Sequence, residues 1–122
     1  MFAEYDYSNF PIVVVKFRGT IENSSEFELF INQWKLLYED QKEFEFLFDM
    51  KDMGLVNPLY SFKMASFISD LKKEPIQYLK QSKIINVNSF TKYLLHLIFS
   101  VQSPVAPVEI YHNDGSMTSV AV

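Results

Sequence analysis

Between Pro11 and His112 the chain alternates short apolar runs with longer amphipathic stretches, and this alternation leaves few folds open to it. PIVVVKF (11–17), FEFLFDM (44–50), KIINV (83–87) and VEIYH (108–112) are rich in β-branched and aromatic residues and have strand length. The segments between them carry apolar residues at helical spacing. Phe27, Phe30, Ile31, Trp34, Leu37 and Tyr38 share one face, while Glu26, Asn32, Gln33, Lys35 and Glu39 take the other. Ser25 followed by Glu28 has the spacing of a capping box, in which each partner satisfies an otherwise orphaned amide. SFKMASFISDLKK (61–73) predicts a second helix with Met64, Phe67, Ile68 and Leu71 inward, entered through the cap residue Asn57 and Pro58 and closed by Pro75. A third follows Asn88-Ser89, with Phe90, Tyr93, Leu94, Leu97, Ile98 and Val101 on one face and SPVAP ending it.

Strands separated by helices make right-handed crossovers, which force neighbouring strands to run parallel. The sequence therefore predicts an α/β fold, with a mainly parallel sheet of four to five strands and helices packed on it, in a single domain over residues 1–122. FEFLFDM has large apolar groups on both faces, which predicts a central strand covered by helices above and below. EYDY can pair with PIVVVKF across a Ser8-Asn9 turn, and Asn113-Asp114-Gly115 can fold SMTSVAV back as a hairpin arm.

With 122 residues there is enough chain for one hydrophobic core and not for two. The absence of cysteine removes disulfides, thiolate metal sites and a cysteine nucleophile together. A net charge of −4, with Arg18 the only arginine, argues against a nucleic-acid partner, whose phosphates and guanine edges select clustered cations. The one concentration of lysines, Lys72, Lys73, Lys80 and Lys83, is expected to be a solvated helix end. MFAEYDYSNF contains no basic region followed by an apolar run, and IVVV and LIF are too short to cross a bilayer. No transmembrane segment and a cytoplasmic location are expected.

Nor does the sequence assemble a catalytic constellation. Asp49 and Asp52 are the only acids at the end of FEFLFDM, Asp49 expected in the strand and Asp52 in the turn beyond, where aspartates usually accept from local amides. Gly54 is expected to supply a positive φ. DMG matches neither GxxxxGK[ST] nor GxGxxG, so no nucleotide cofactor is expected. His96 and His112 lie too far apart in the chain to announce a metal site, and no serine-hydrolase motif is present. No enzymatic activity, cofactor or metal is predicted.

FRGTIENSSEFELF resembles the segment of STAS domains, the SpoIIAA-like anti-sigma-factor antagonists, in which a long strand enters a helix through an apolar-x-Gly-x-apolar-acidic motif. The counterparts are Phe17, Gly19, Ile21 and Glu22, followed by Ser24-Ser25, and the spacing to FLFDMKDM also fits. The resemblance covers about residues 5–112. It implies a regulatory domain that docks on a protein partner and, in members that switch, is phosphorylated on a serine in an Asp-Ser-Ser/Thr-Gly motif at the start of the second helix. The corresponding register here reads Asn57, Pro58, Leu59, Tyr60, without a hydroxyl at the phosphoacceptor position, and Ser61 is the nearest serine. KIINVNSFTKYLLHLIFSVQSP is similar to the end of CRAL-TRIO lipid-binding domains, a second and competing resemblance.

Two functions of different kind follow. The first is a non-catalytic protein-interaction domain whose docking surface comprises Asp52, Leu55, Val56, Asn57, Leu59, Tyr60 and Ser61, with Leu55 and Val56 alternatively tucked under the edge of the sheet. The alternative is a carrier of an apolar, lipid-like ligand, with Phe62, Phe67, Tyr93, Leu97 and Phe99 around a cavity. Twelve Phe, seven Tyr and one Trp motivate both, and are also compatible with a homodimer.

Overall fold

Each of the four apolar runs becomes a strand, and the amphipathic segment after each of the first three returns the chain to begin the next strand in parallel. The structure is a computed structural model that describes residues Met1–Val122. In chain order it contains β1 (Ala3–Asp6), β2 (Ile12–Gly19), α1 (Ser24–Glu39), β3 (Phe44–Met53), α2 (Leu59–Leu71), β4 (Leu79–Val87), α3 (Ser89–Val101), β5 (Val108–His112) and β6 (Met117–Val120). The sheet order is β1-β2-β3-β4-β5-β6. Strands β2 to β5 are parallel, whereas β1 and β6 pair antiparallel at the two edges. The α/β class holds, but the sheet is mixed and has six strands rather than four to five. The short arms at both ends supply the difference by pairing fully with the parallel core.

The expectation that helices cover both faces is overturned. When consecutive parallel strands are also neighbours in the sheet, right-handed crossovers bring every helix to the same face. Burial follows that geometry along β3: Phe44, Phe46, Phe48 and Met50 are buried, while Glu45, Leu47 and Asp49 between them are only half-buried. On β2, Val13, Val15 and Phe17 point inward, and Lys16 and Arg18 are exposed. The uncovered face places Lys16 opposite Asp49 and Lys83 opposite Glu109, alternating charges suited to water.

The core lies between the inner face and the helix layer and is largely aromatic. Trp34 of α1 meets Phe46 edge-on at 4.8 Å and Phe67 of α2 at 5.2 Å, and Phe17 meets Phe30 at 5.3 Å. The cap of α1 lies two residues earlier than the expected Ser25. Asn23 Oδ1 accepts from the Glu26 amide at 3.3 Å and the Glu26 carboxylate accepts from the Glu22 amide at 2.8 Å, so Asn23 is the cap and Glu26 reaches back one residue beyond it, in place of a Ser25–Glu28 box. β4 starts at Leu79 rather than Lys83. Lys80 and Lys83 are therefore outward strand residues, and only Lys72 and Lys73 sit at a helix end.

A one-sided sheet predicts unequal costs for adjacent truncations on β3. Phe46→Ala should destabilise by about 3–5 kcal/mol, whereas Leu47→Ala on the open face should cost less than about 1.5 kcal/mol. Urea unfolding of the two variants checks this, and equal losses would mean that the second face is covered as well.

Candidate functional site

The carboxyl ends of parallel strands are where loops gather in such sheets. Gly19 ends β2 at φ +64°, the left-handed region that glycine adopts without penalty. Its carbonyl accepts from the Gly54 amide at 2.7 Å, tying the end of β2 to the loop after β3. A Cβ at Gly54 would stand 3.3 Å from that same carbonyl oxygen. Gly54 is therefore required by close backbone approach and not, as expected, by a positive φ, which belongs to Gly19 and Gly115. Asn57 Oδ1 then accepts from the Leu59 amide at 3.0 Å, Pro58 is already helical at φ −56° and ψ −19°, and α2 runs on from Leu59. Phe27 packs on Tyr60 at 5.2 Å, and the Lys63 ammonium lies 5.0 Å from the Tyr60 ring centre.

On this corner the seven residues expected to form a docking surface separate. Leu55 is 75% and Leu59 63% exposed, Asn57 is exposed and Tyr60 is half-buried. Asp52 is exposed too, but it lies within β3 opposite Arg18 and not in the turn beyond. Val56 and Ser61, at 6% and 4% exposure, are core residues, and this corrects their assignment to the surface. The Ser61 hydroxyl donates to the Leu94 carbonyl at 3.2 Å, so a small residue here lets α2 approach α3 closely. Helical spacing carried the signal: Ser61, Ala65 and Ile68 form one buried row. Phe62, three residues after Leu59 and on the same side of α2, is half exposed and joins the corner's outer surface.

Asp49 does structural work on the open face. Its carboxylate accepts from the Asn86 side chain at 2.9 Å and from the Lys51 amide at 3.0 Å. Partial burial pushes its pKa up, but those hydrogen bonds and the charges of Lys16 and Lys51 outweigh burial and hold it below the ordinary carboxylate value. Asn86 reaches it from a left-handed backbone at φ +60°, where β4 shifts register against β5. The histidines stand apart from this corner. His96 is exposed, and His112 Nε2 lies 2.9 Å from Thr118 Oγ1. No three histidine or acidic side chains converge anywhere in the chain.

A cavity of about 140 Å³ lies between the sheet and the helices, bordered by residues of β2, β3 and β4, all three helices and the segment leading into β5. Its lining contains no charged side chain. Of the five residues expected around a carrier cavity only Phe99 borders it: Phe62 and Tyr93 face solvent, and Phe67 packs on Trp34. The volume is below the roughly 300–1,000 Å³ usual for sites that enclose drug-sized molecules. No helix is long and apolar enough to cross a membrane.

A family-model scan and comparisons with curated proteins and with solved structures returned no match to this chain.

Two substitutions test the local chemistry. Gly54→Ala should destabilise by about 1 kcal/mol through contact with the Gly19 carbonyl, measurable by urea unfolding. Asn86→Gly keeps the left-handed backbone but removes the donor to Asp49, and the Asp49 titration midpoint followed by carboxyl NMR should rise. Because the folded pKa of Asp49 lies below its unfolded value, its contribution to stability is complete above the unfolded pKa and is lost as pH falls through the folded one. Asn86→Gly should therefore flatten the acid limb of the stability profile.

Proposed function

We propose that this chain is a non-catalytic interaction domain that binds a protein partner at the corner where β3 passes into α2. The observation that carries this reading is the group of exposed large apolar side chains on a fixed backbone. Leu55, Leu59 and Phe62 stand in water, while the Gly19–Gly54 hydrogen bond, the Asn57 cap and the buried Val56 hold the chain beneath them. Removing a leucine side chain of that size from water is worth about 1.5–3 kcal/mol, so two leucines and a phenylalanine suffice as the apolar centre of a modest interface. Asp52 and Asn57 at the margin offer polar groups to its rim. The resemblance of residues 5–112 to SpoIIAA-like domains adds support, since such domains dock on protein partners.

The proposed domain differs from the members of that family that switch, because nothing at this corner can be phosphorylated in the same way. Position 58 is proline and position 59 leucine, and the Ser61 hydroxyl is buried against Leu94. Regulation through a phosphoserine at this position would require α2 to leave α3.

Leu55→Asp and Leu59→Asp should leave the circular dichroism spectrum and Tm nearly unchanged, while abolishing capture of a partner that the parent chain retains from its native host. Val56→Asp should unfold the domain instead, because it buries an unpaired carboxylate. Retention of every partner by the doubly substituted Leu55→Asp/Leu59→Asp chain would refute the assignment of this surface. Sedimentation of the purified chain, expected to be monomeric at micromolar concentration, separates a foreign partner from a second copy.

A further inference from the structure

The sheet extends one strand beyond its helix layer at β6. At the opposite edge Ala3 of β1 is buried and the Tyr5 hydroxyl donates to the Phe30 carbonyl of α1 at 2.7 Å, so the helices reach the last strand on that side. Thr118 of β6 also lies on the inner face, where it borders a cleft with α3, yet it is exposed. Met117 and Ser119, which point to the open face, are exposed as well. The edge itself is unpaired. The His112 amide donates to the Ser116 carbonyl at 2.9 Å, and in the antiparallel register that continues from it Thr118 and Val120 turn their N–H and C=O groups to β5, while Met117 and Ser119 turn theirs outward. Free edges are usually guarded by charge or proline, as Glu4 and Asp6 guard β1, but residues 117–122 contain neither a charged side chain nor a proline.

We propose that β6 is a site of strand addition, at which an extended segment of a protein partner pairs with the Met117 and Ser119 edge and lays an acidic side chain into the cleft between that edge and α3. The backbone sets the shape of the occupant, because another strand satisfies a row of outward N–H and C=O groups together. The cleft sets its chemistry. Lys92, His96 and Phe99 follow one another at helical spacing along the flank of α3 that borders the cleft, and Thr118 and Val120 form its floor on β6. No acidic side chain lines it. Asp114 lies in the hairpin turn, where its carboxylate accepts from the Ser116 amide at 2.9 Å and the Ser116 hydroxyl at 2.6 Å. An incoming carboxylate can therefore accept from the Lys92 ammonium and the His96 ring N–H, while Phe99 and Val120 receive the stem that carries it. Alternate side chains of an added strand face the same way, so the partner segment carries its acidic residues two positions apart. A second copy of β6 does not meet that requirement, since residues 117–122 offer no acidic side chain. The site is independent of the docking corner, which lies at the ends of the strands and not along an edge.

Amide exchange in the ¹⁵N-labelled full chain reads the pairing directly. Alone, the Met117 and Ser119 amides should exchange much faster than those of Thr118 and Val120. The probe is a capped octapeptide of alternating glutamate and valine, and saturation with it should slow the Met117 and Ser119 amides roughly tenfold or more. The same peptide with lysine in place of glutamate should bind about tenfold more weakly at low salt, and the difference should fade at about 1 M salt. Lys92→Glu/His96→Glu should reverse that preference. Ser119→Pro removes an outward N–H without touching the ladder to β5, so it should keep the parent's fold by amide spectrum and lose the peptide. Leu55→Asp/Leu59→Asp should bind the peptide as the parent does, which keeps this site's readout separate from that of the docking corner. Unchanged exchange at Met117 and Ser119, equal affinity for the two peptides, a preference that survives the charge reversal, or full binding to folded Ser119→Pro would each overturn the proposal. Dimerisation of the parent chain through β6, seen as a sedimentation shift that Ser119→Pro abolishes, would overturn it too.

Discussion

The contact of Trp34 with the inner row of β3 joins three elements through one side chain. Its ring lies against Phe46 below and Phe67 beside it, so α1, the central strand and α2 are mutually positioned by aromatic edges that tolerate little displacement. The sheet order makes this contact decisive. With all helices on one face, the whole hydrophobic core is a single layer, and the row Phe44, Phe46, Phe48 is its floor. The strand next to it offers Leu79, Ser82 and Ile84, a narrower floor under α2 and α3.

The corner and the cavity share a wall. Val56, Tyr60 and Ser61 border the cavity from within, and Leu55, Leu59 and Phe62, interleaved with them in sequence, face water on the other side. The turn into α2 sorts alternate residues into two environments, which is why a contiguous stretch read as one surface divides into anchors and exposed groups. The Gly19–Gly54 hydrogen bond and the Asn57 cap hold the turn in place, while Asp49, tied to Asn86, steadies the strand end from the open face.

Much of this was legible from local pattern. The order of the parallel strands' helices, the edge arms at both ends and the burial of Phe30, Ile31, Trp34, Leu37 and Tyr38 follow from spacing and turn chemistry, and the cap of α3 falls on Asn88, one of the two residues the sequence offered for it. α3 was harder, because SFTKYLLHLIFSV is apolar nearly all round. Its buried row contains Thr91, Leu94 and Leu95, whereas Tyr93 and Val101 point to solvent, an orientation set by contact with α2 and β4. The first half of β4 was hidden because Leu79, Lys80, Gln81 and Ser82 alternate weakly, and their strand character comes from pairing with β3 and β5. At the candidate site the exposure of Leu55, Leu59 and Asn57 agreed with the sequence reading, while Val56, Ser61 and the strand position of Asp52 did not.

The sequence by itself determined most of the strands and helices, since periodicity and caps act over a few residues, and it determined that the strands joined by helices run parallel, since each helix carries the chain back to the end where the previous strand began. Only the tertiary structure decided that every helix lies on one side, because that depends on which strands become neighbours. It also decided which side of each side-chain row meets water and where the packing falls short, because burial and voids arise when distant residues such as Trp34, Phe46, Ser82 and Thr91 are brought onto the same core and their volumes fail to sum to the space between them.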